Sequence, residues 1–312
     1  MSNPAEHYVA PVEIEEIEVD AVDLDDRPSN LWWDAWRDLR RRPLFYVALS
    51  MVAVVLLVTF FPSLFTSVAP NNNCELSNSN GGPAPGHPLG FTRQGCDVYA
   101  RVIWGARTSM TVGILVVIIT AAIGVPMGAI AGYFGGRVDS VLSRIGDIFF
   151  SIPYFLAAVV VMSVLGAYRN VFVIAFAIAG FAWAGLARIV RAEVLRVKNL
   201  EYVDASIALG RSRMDTLWSH VLPNSMTPVI AYLTISLGAA ITVEATLSFL
   251  GIGLGSSVMS WGNDISQAQT TVKTAPMALF WPSLALTLTV LAFILLGELI
   301  RDALDPKARA RR

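Results

Sequence analysis

The residue types that could do covalent or metal chemistry are sparse in this chain and far apart. The three histidines, His7, His87 and His220, fall in different regions, and none has a second ligand at metal-site spacing. No Gly-x-Ser-x-Gly turn offers an activated serine. A phosphate-cradling loop needs Gly-Lys-Ser/Thr, but Lys198, Lys273 and Lys307 follow Val, Val and Pro. The chain therefore does not bind ATP in that way by itself, and no cofactor or metal set is predicted within it. Three features remain. One is a polar island, Arg188 to Asn224 (RIVRAEVLRVKNLEYVDASIALGRSRMDTLWSHVLPN), which holds six of the 23 Lys and Arg residues. The second is the only cysteine pair, Cys74 and Cys96, and the third is Glu244 in the apolar run AITVEATLSF.

The elements that position them follow from composition. The chain is 54% hydrophobic and 15% charged, against about 25% charged in an ordinary soluble domain. No Asp, Glu, Lys or Arg occurs from Pro43 to Cys74, Thr108 to Gly136, Ile148 to Tyr168, Asn170 to Ala187, Thr216 to Val243 or Thr274 to Gly297. Roughly 20 apolar residues cross a bilayer, so the pattern predicts an all-α integral membrane fold with about six spans. Their expected positions are 44–66, 108–134, 148–168, 171–188, 227–250 and 281–300. Buried helices of a large soluble protein are the alternative. Gly124, Pro126 and Gly128 predict a kink or close packing in the second span.

Residues 1–28 read as a disordered acidic tail, because the first 26 carry nine acids and no base. Residues 29–42 form an interfacial helix capped by Ser29 or Asn30, with Trp32, Trp36 and Leu39 on one face and Asp34, Arg37, Asp38 and Arg41 opposite. Pro43 opens the membrane domain, 43–302, and a basic tail, 303–312, closes the chain. With the N-terminus cytoplasmic, 18 of the 23 Lys and Arg residues share its side of the membrane. Positive residues favour the cytoplasm, so both termini and the island are predicted inside.

Loops 67–107 and 251–280 then lie outside and are expected to be irregular. Two cysteines in one loop on the oxidising side suggest a disulfide; two free thiols are the alternative. Glu244 is the one acid deep in a span, either a functional polar site or a structural carboxylate bonded to a neighbouring helix.

The island reads as a coupling loop, 189–225, of two helices. Asn199 caps the first, Leu200 to Leu209, which Gly210 ends in a left-handed turn. Ser212 and Asp215 form a capping-box pattern for the second, stopped by Leu222-Pro223-Asn224, and Pro228 starts the next span. Tyr202, Val203, Ala205, Ser206 and Ile207 are expected to leave an exposed apolar knob. That knob is a docking surface or a helix resting on lipid.

The run EYVDASIALGRSRMDTLWSHVLPN resembles the cytoplasmic signature of ABC-importer permeases: Glu-Ala-Ala, three residues, Gly, nine residues, Ile, one residue, Leu-Pro. Asp204, Ala205, Ser206, Gly210, His220, Leu222 and Pro223 occupy its positions, with Asp for Glu, Ser for Ala and His for Ile. The segment HPLGFTRQGCDVYARVIWGARTSM resembles the stretch before the second span in dipeptide and oligopeptide permeases. Gly90, Gly95, Asp97, Arg101, Gly105, Ala106, Arg107 and Ser109 agree, and Phe91, Thr92 and Cys96 do not. GYFGGRVDSVLSRIGDIFFSIP, LSFLGIG, Ser260–Gly262 and Ile300–Pro306 extend the match over nearly everything from 30 to 306. The chain resembles the C-type subunit of peptide or nickel ABC permeases.

The resemblance implies a type I importer permease that does no bond chemistry itself. Its partners would be a homologous permease, one or two ATPase subunits holding ATP and Mg, an extracytoplasmic peptide-binding protein and membrane lipid, with no nucleic acid. Glu201, Tyr202, Asp204, Ala205, Ser206, Ile207, Gly210, Leu222 and Pro223 would form the ATPase-coupling set, with the 200–210 helix as lever for a rocking transition. Peptides are the implied solute and nickel or another metal chelate the alternative. A proton-coupled secondary transporter and a scaffold without transport are readings of other classes.

Overall fold

The computed structural model describes residues 31–71 and 74–304. The two predicted tails, in their parts 1–28 and 305–312, and the caps Ser29 and Asn30 lie outside the described residues. The described residues are helical, with no β-strand beyond the isolated bridges Ala84–His87 and Phe91–Asp97.

Helix α1, Leu31–Leu39, buries Ala35 and Leu39 against Phe45 and the last helix of the chain, while Trp33 and Trp36 stay exposed. Of the predicted stripe, Leu39 turns into this contact together with Ala35 one turn earlier, and Trp36 stays exposed. Helix α2, Pro43–Phe60, starts at the expected proline. It stops short of residue 66, because Pro62 has no N–H and its ring would meet the carbonyl four residues back.

Helix α3, Val98–Phe134, begins inside the predicted outer loop. Asp97 caps it by accepting from Tyr99 N at 3.0 Å, so Arg101 and Arg107 lie on helix rather than in coil. Counting charge-free residues marks the apolar part of a span, not the helix that carries it. There is no break at Pro126: Gly124, Gly128 and Gly132 line one face at four-residue spacing, as close packing demands. A Cβ at Gly132 would lie 2.8 Å from the Arg191 carbonyl oxygen, and one at Gly124 2.9 Å from that of Trp183.

The stretch between the second and third expected spans, 135–147, lies in a helix, α4, Gly136–Ser151. The expected span 148–168 is a short helix, α5, Tyr154–Val164, bent from α4 by 75°. Arg137, Asp139, Arg144 and Asp147 hid α4 from a search for charge-free runs, and Pro153 forces the bend. Helix α6, Val171–Val197, is capped by Asn170, which accepts from Phe172 N and Val173 N, and it carries Arg188, Arg191 and Arg196 well into the island.

Helices α7, Glu201–Ala208, and α8, Arg213–Thr216, follow. A wide turn, Leu217–Val221, then feeds α9, Leu222–Phe249, without interruption. Leu222-Pro223-Asn224 does not stop the helix and Pro228 lies inside it, correcting both predicted boundaries. The extra residue in the wide turn, where Leu222 N bonds to Leu217 O, makes room for a proline that a regular turn would reject. Helix α10, Trp261–Ala268, folds within the second predicted irregular loop, and α11, Pro276–Leu304, completes the bundle.

Among the described residues five helical runs are long and apolar enough to cross a membrane, and the bent α4–α5 pair makes six if it counts as one span. The core forms where α3 packs between α6 and α9, with α2 and α11 on the flank.

Candidate functional site

The island end presents α7 on a buried footing. Val203 and Ser206 are the inward residues. Val203 packs with Val197, Leu217, Val221 and Leu222, and Ser206 Oγ lies 3.3 Å from Thr216 Oγ1. This corrects the expected knob: residues three apart share a helix face, so Val203 and Ser206 turn in together. Leu200, Tyr202, Ile207 and Leu209 point out, with Leu209 87% exposed. Met214 and Trp218 extend the apolar surface. Partial burial pushes the Tyr202 phenol above its usual value. Glu201, Asp204, Ala205 and Pro223 are exposed, whereas Leu222 is buried and supports from beneath.

The local turns are built as follows. Asn199 does not cap α7: its amide donates back to Leu195 O at 3.0 Å, because α6 runs on far enough to hold it. Gly210 has φ +88, and its N–H donates to Ile207 O at 2.9 Å. Ser212 accepts from Asp215 N at 3.2 Å, which is one half of the predicted box. The Asp215 carboxylate instead meets Arg211 at 3.2 Å and takes a bond from Ser219. His220 Nε2 lies 2.7 Å from Arg211 Nη1. Helices α4 and α6 are tied nearby through Arg191 to Asp139 and Arg188 to Asp147.

The opposite end is held by buried groups. Cys74 and Cys96 are bonded. Arg101 Nε donates to Asp264 Oδ1 at 2.8 Å, Nη2 reaches the same oxygen, and Nη1 donates to Asn71 at 2.8 Å. Trp261 Nε1 donates to Val102 O at 2.9 Å, and Trp261 N donates to Ser109 Oγ at 3.3 Å. Ser109 in turn donates to Glu244 Oε2 at 3.0 Å, and Ser248 to Oε1 at 2.9 Å. Glu244 is thus a fully buried carboxylate bridging α3 and α9, with α10 seated above it. Arg101, Ser109 and Ser260–Gly262 stood out in the sequence; Asp264 did not. Its one clue is its place three residues after Trp261.

Among the described residues no three His, Cys, Asp or Glu gather as a metal site. Among the described residues the geometry offers a helix with an exposed apolar face on a buried footing at one end and a latched cap at the other.

This chain belongs to the family of binding-protein-dependent transport system inner membrane components, whose pattern matches residues 124–310. The N-terminal membrane domain of oligopeptide transport permease C matches residues 30–83. The chain is 34% identical over 290 residues to the oligopeptide transport system permease protein OppC of Bacillus subtilis, covering 93% of this chain and 94% of that one. It is 35% identical over 292 residues to the dipeptide permease DppC of the same organism, covering 92% and 90%. The glutathione transport system permease GsiD of Pectobacterium atrosepticum is 33% identical over 279 residues, covering 89% and 92%. The fold is similar to a chain of the inward-facing MetNI methionine ABC transporter, with a TM-score of 0.54 at 19% identity over 66% of this chain and 96% of that one. The protein is a multi-pass membrane permease component.

Proposed function

We propose that this chain is one permease subunit of an ATP-driven importer that carries di- or oligopeptides into the cell. The carrying observation is α7: an exposed apolar face on a buried footing, in a chain with no nucleotide loop. Energy then enters through a partner. ATPase subunits, which bind the ATP and Mg, dock on Tyr202, Ile207 and Leu209 with Glu201 and Asp204 at the rim. The basic-residue bias supports an island end in the cytoplasm, together with both termini.

A homologous permease completes the passage, and an external binding protein delivers solute to the opposite end. Closure of the ATPases moves α7, and Gly210 lets the lever turn against α8 as the helices rock. The peptide substrate is supported by relatives named for oligopeptide, dipeptide and glutathione transport. A nickel or metal-chelate solute has no such support. A proton-driven transporter is disfavoured because Glu244 is the one acid deep in its apolar run, whereas proton relays use chains of titrating groups.

Gentle purification from the native membrane tests this directly. Recovery of a second permease, an ATPase and a peptide-binding protein is expected; transport by liposomes holding this chain alone would sink the reading. Gly210→Val should leave the complex assembled and hydrolysing ATP while uptake is lost.

A further inference from the structure

A cleft of about 380 Å³ opens between α3, α4 and α6 toward the island end. That volume lies within the range of small-ligand sites, roughly 300–1,000 Å³. Its lining is divided. Away from the island it is apolar, with Met127, Trp183 and Ala184, while Ser143, Asp147, Arg188 and Arg191 stand nearer the island. Gly146 borders the open space: it is buried, yet a Cβ built on it would meet nothing within 4 Å.

The depth of the arginines follows from the sequence. Arg188 is the first charge after the run Asn170–Ala187, which is nearly long enough to cross the hydrocarbon, so it stands at headgroup level. Its side chain is 48% exposed, and its guanidinium lies 3.7 Å from the centre of the Phe150 ring. Nη2 donates to Asp147 at 2.7 Å, which leaves Nε and Nη1 without a bond among the described residues. Arg191 gives Nε and Nη2 to Asp139 and keeps Nη1. Lys198, which bonds the Gly132 carbonyl, also acts on Asp139. Arg188, Arg191 and Lys198 thus face the carboxylates of Asp139 and Asp147 and leave one positive charge over.

An apolar partner helix would leave these donors unpaired, and a free anion would leave the apolar wall against water. One kind of molecule suits both parts, a singly charged phosphodiester joined to hydrocarbon. We infer that this cleft binds one anionic phospholipid. Its phosphate oxygens accept from Arg188 Nε and Nη1 and from Arg191 Nη1, as guanidinium edges favour. Its first acyl carbons lie along Met127 and Trp183. Basic pockets between membrane helices take such headgroups, whereas a zwitterionic head brings a second cation to a site that is already positive. Bound there, the lipid holds α4 to α6 at the foot of the bent α4–α5 pair, whichever solute is carried.

The test uses the purified complex in detergent, with bound lipid counted by native mass spectrometry as phosphatidylglycerol is added. The parent complex should hold one phosphatidylglycerol more than Gly146→Leu, whose side chain fills the cleft, and phosphatidylcholine should not replace it. Arg188→Gln should need ~10-fold more phosphatidylglycerol for the same occupancy, the worth of a charge-assisted hydrogen bond. Asp147→Asn removes the competing carboxylate and should bind the lipid severalfold more tightly, whereas a damaged cleft would bind it less. Should Gly146→Leu fail to assemble, Arg188→Gln and Asp147→Asn must still shift in opposite directions. Equal lipid in the parent and these variants overturns the inference. So does displacement by inorganic phosphate, which would make this a free-anion site. A disulfide between Ser143→Cys and a cysteine of the partner permease would overturn it too, since protein would then fill the cleft.

Discussion

The two ends of the bundle hold themselves together in opposite ways. At the loop end the central ties are buried: Arg101 with Asp264, Trp261 with Ser109 and Glu244 with two serines, beside a half-buried disulfide. At the island end the buried tie is the neutral Ser206–Thr216 contact, while the ion pairs Arg188–Asp147, Arg196–Glu193 and Arg211–Asp215 lie on the surface, and the turn at Gly210 has open space around it. Breaking a buried pair strands an uncompensated charge, whereas exposed pairs are screened by water and salt. One end therefore keeps a single arrangement and the other can be repositioned at small cost.

The sharpest way to break this contrast is at Asp264. Asp264→Ala strands Arg101 and should cost on the order of 3–5 kcal/mol, read as a large drop in thermal unfolding temperature in detergent. Replacing both partners with apolar residues of similar volume should recover part of that loss. Next comes the disulfide: Cys74→Ser with Cys96→Ser should remove about 3 kcal/mol of loop order. Limited proteolysis should then cut near residue 80 in the variant before it cuts near residue 210, the reverse of the parent protein.

At the island end the effects should be smaller. Gly210→Val forces a β-branched residue to φ +88, a cost of roughly 1–2 kcal/mol. Because a Cβ there meets nothing within 4 Å, the loss is local and should appear as faster amide exchange in α7 alone. Smallest is Asp147→Asn, about 0–1 kcal/mol by chemical denaturation. An Asp147 effect that matched Asp264 would erase the distinction between the ends.

Much of this molecule is legible in its residues, and the misses share a cause. Pro43, Asn170, Gly210 and Ser212 act locally, and each does in the structure what its chemistry dictates within a few residues. Helix lengths were misjudged wherever charge was treated as the end of a helix, at Arg101 in α3, Arg191 in α6 and Asp139 in α4. Pro223 was misread because one wide turn upstream removes its penalty. On α7 the residue types alone did not say which apolar residue turns inward, since Val203 and Ile207 are equally good candidates until α8 is in place.

The number and order of membrane helices followed from composition and charge gaps, because hydrocarbon rejects ionised groups whatever the rest of the chain does. The island's turn followed from Gly210, because few other residues hold a left-handed φ without strain. Pairings over distance needed the folded chain. Arg101 and Asp264 are 163 residues apart, and nothing near either one names its partner. The same is true of Ser109 and Glu244, which are 135 residues apart. Local signals report on backbone geometry and solvent; which buried group satisfies which other is set only when helices pack.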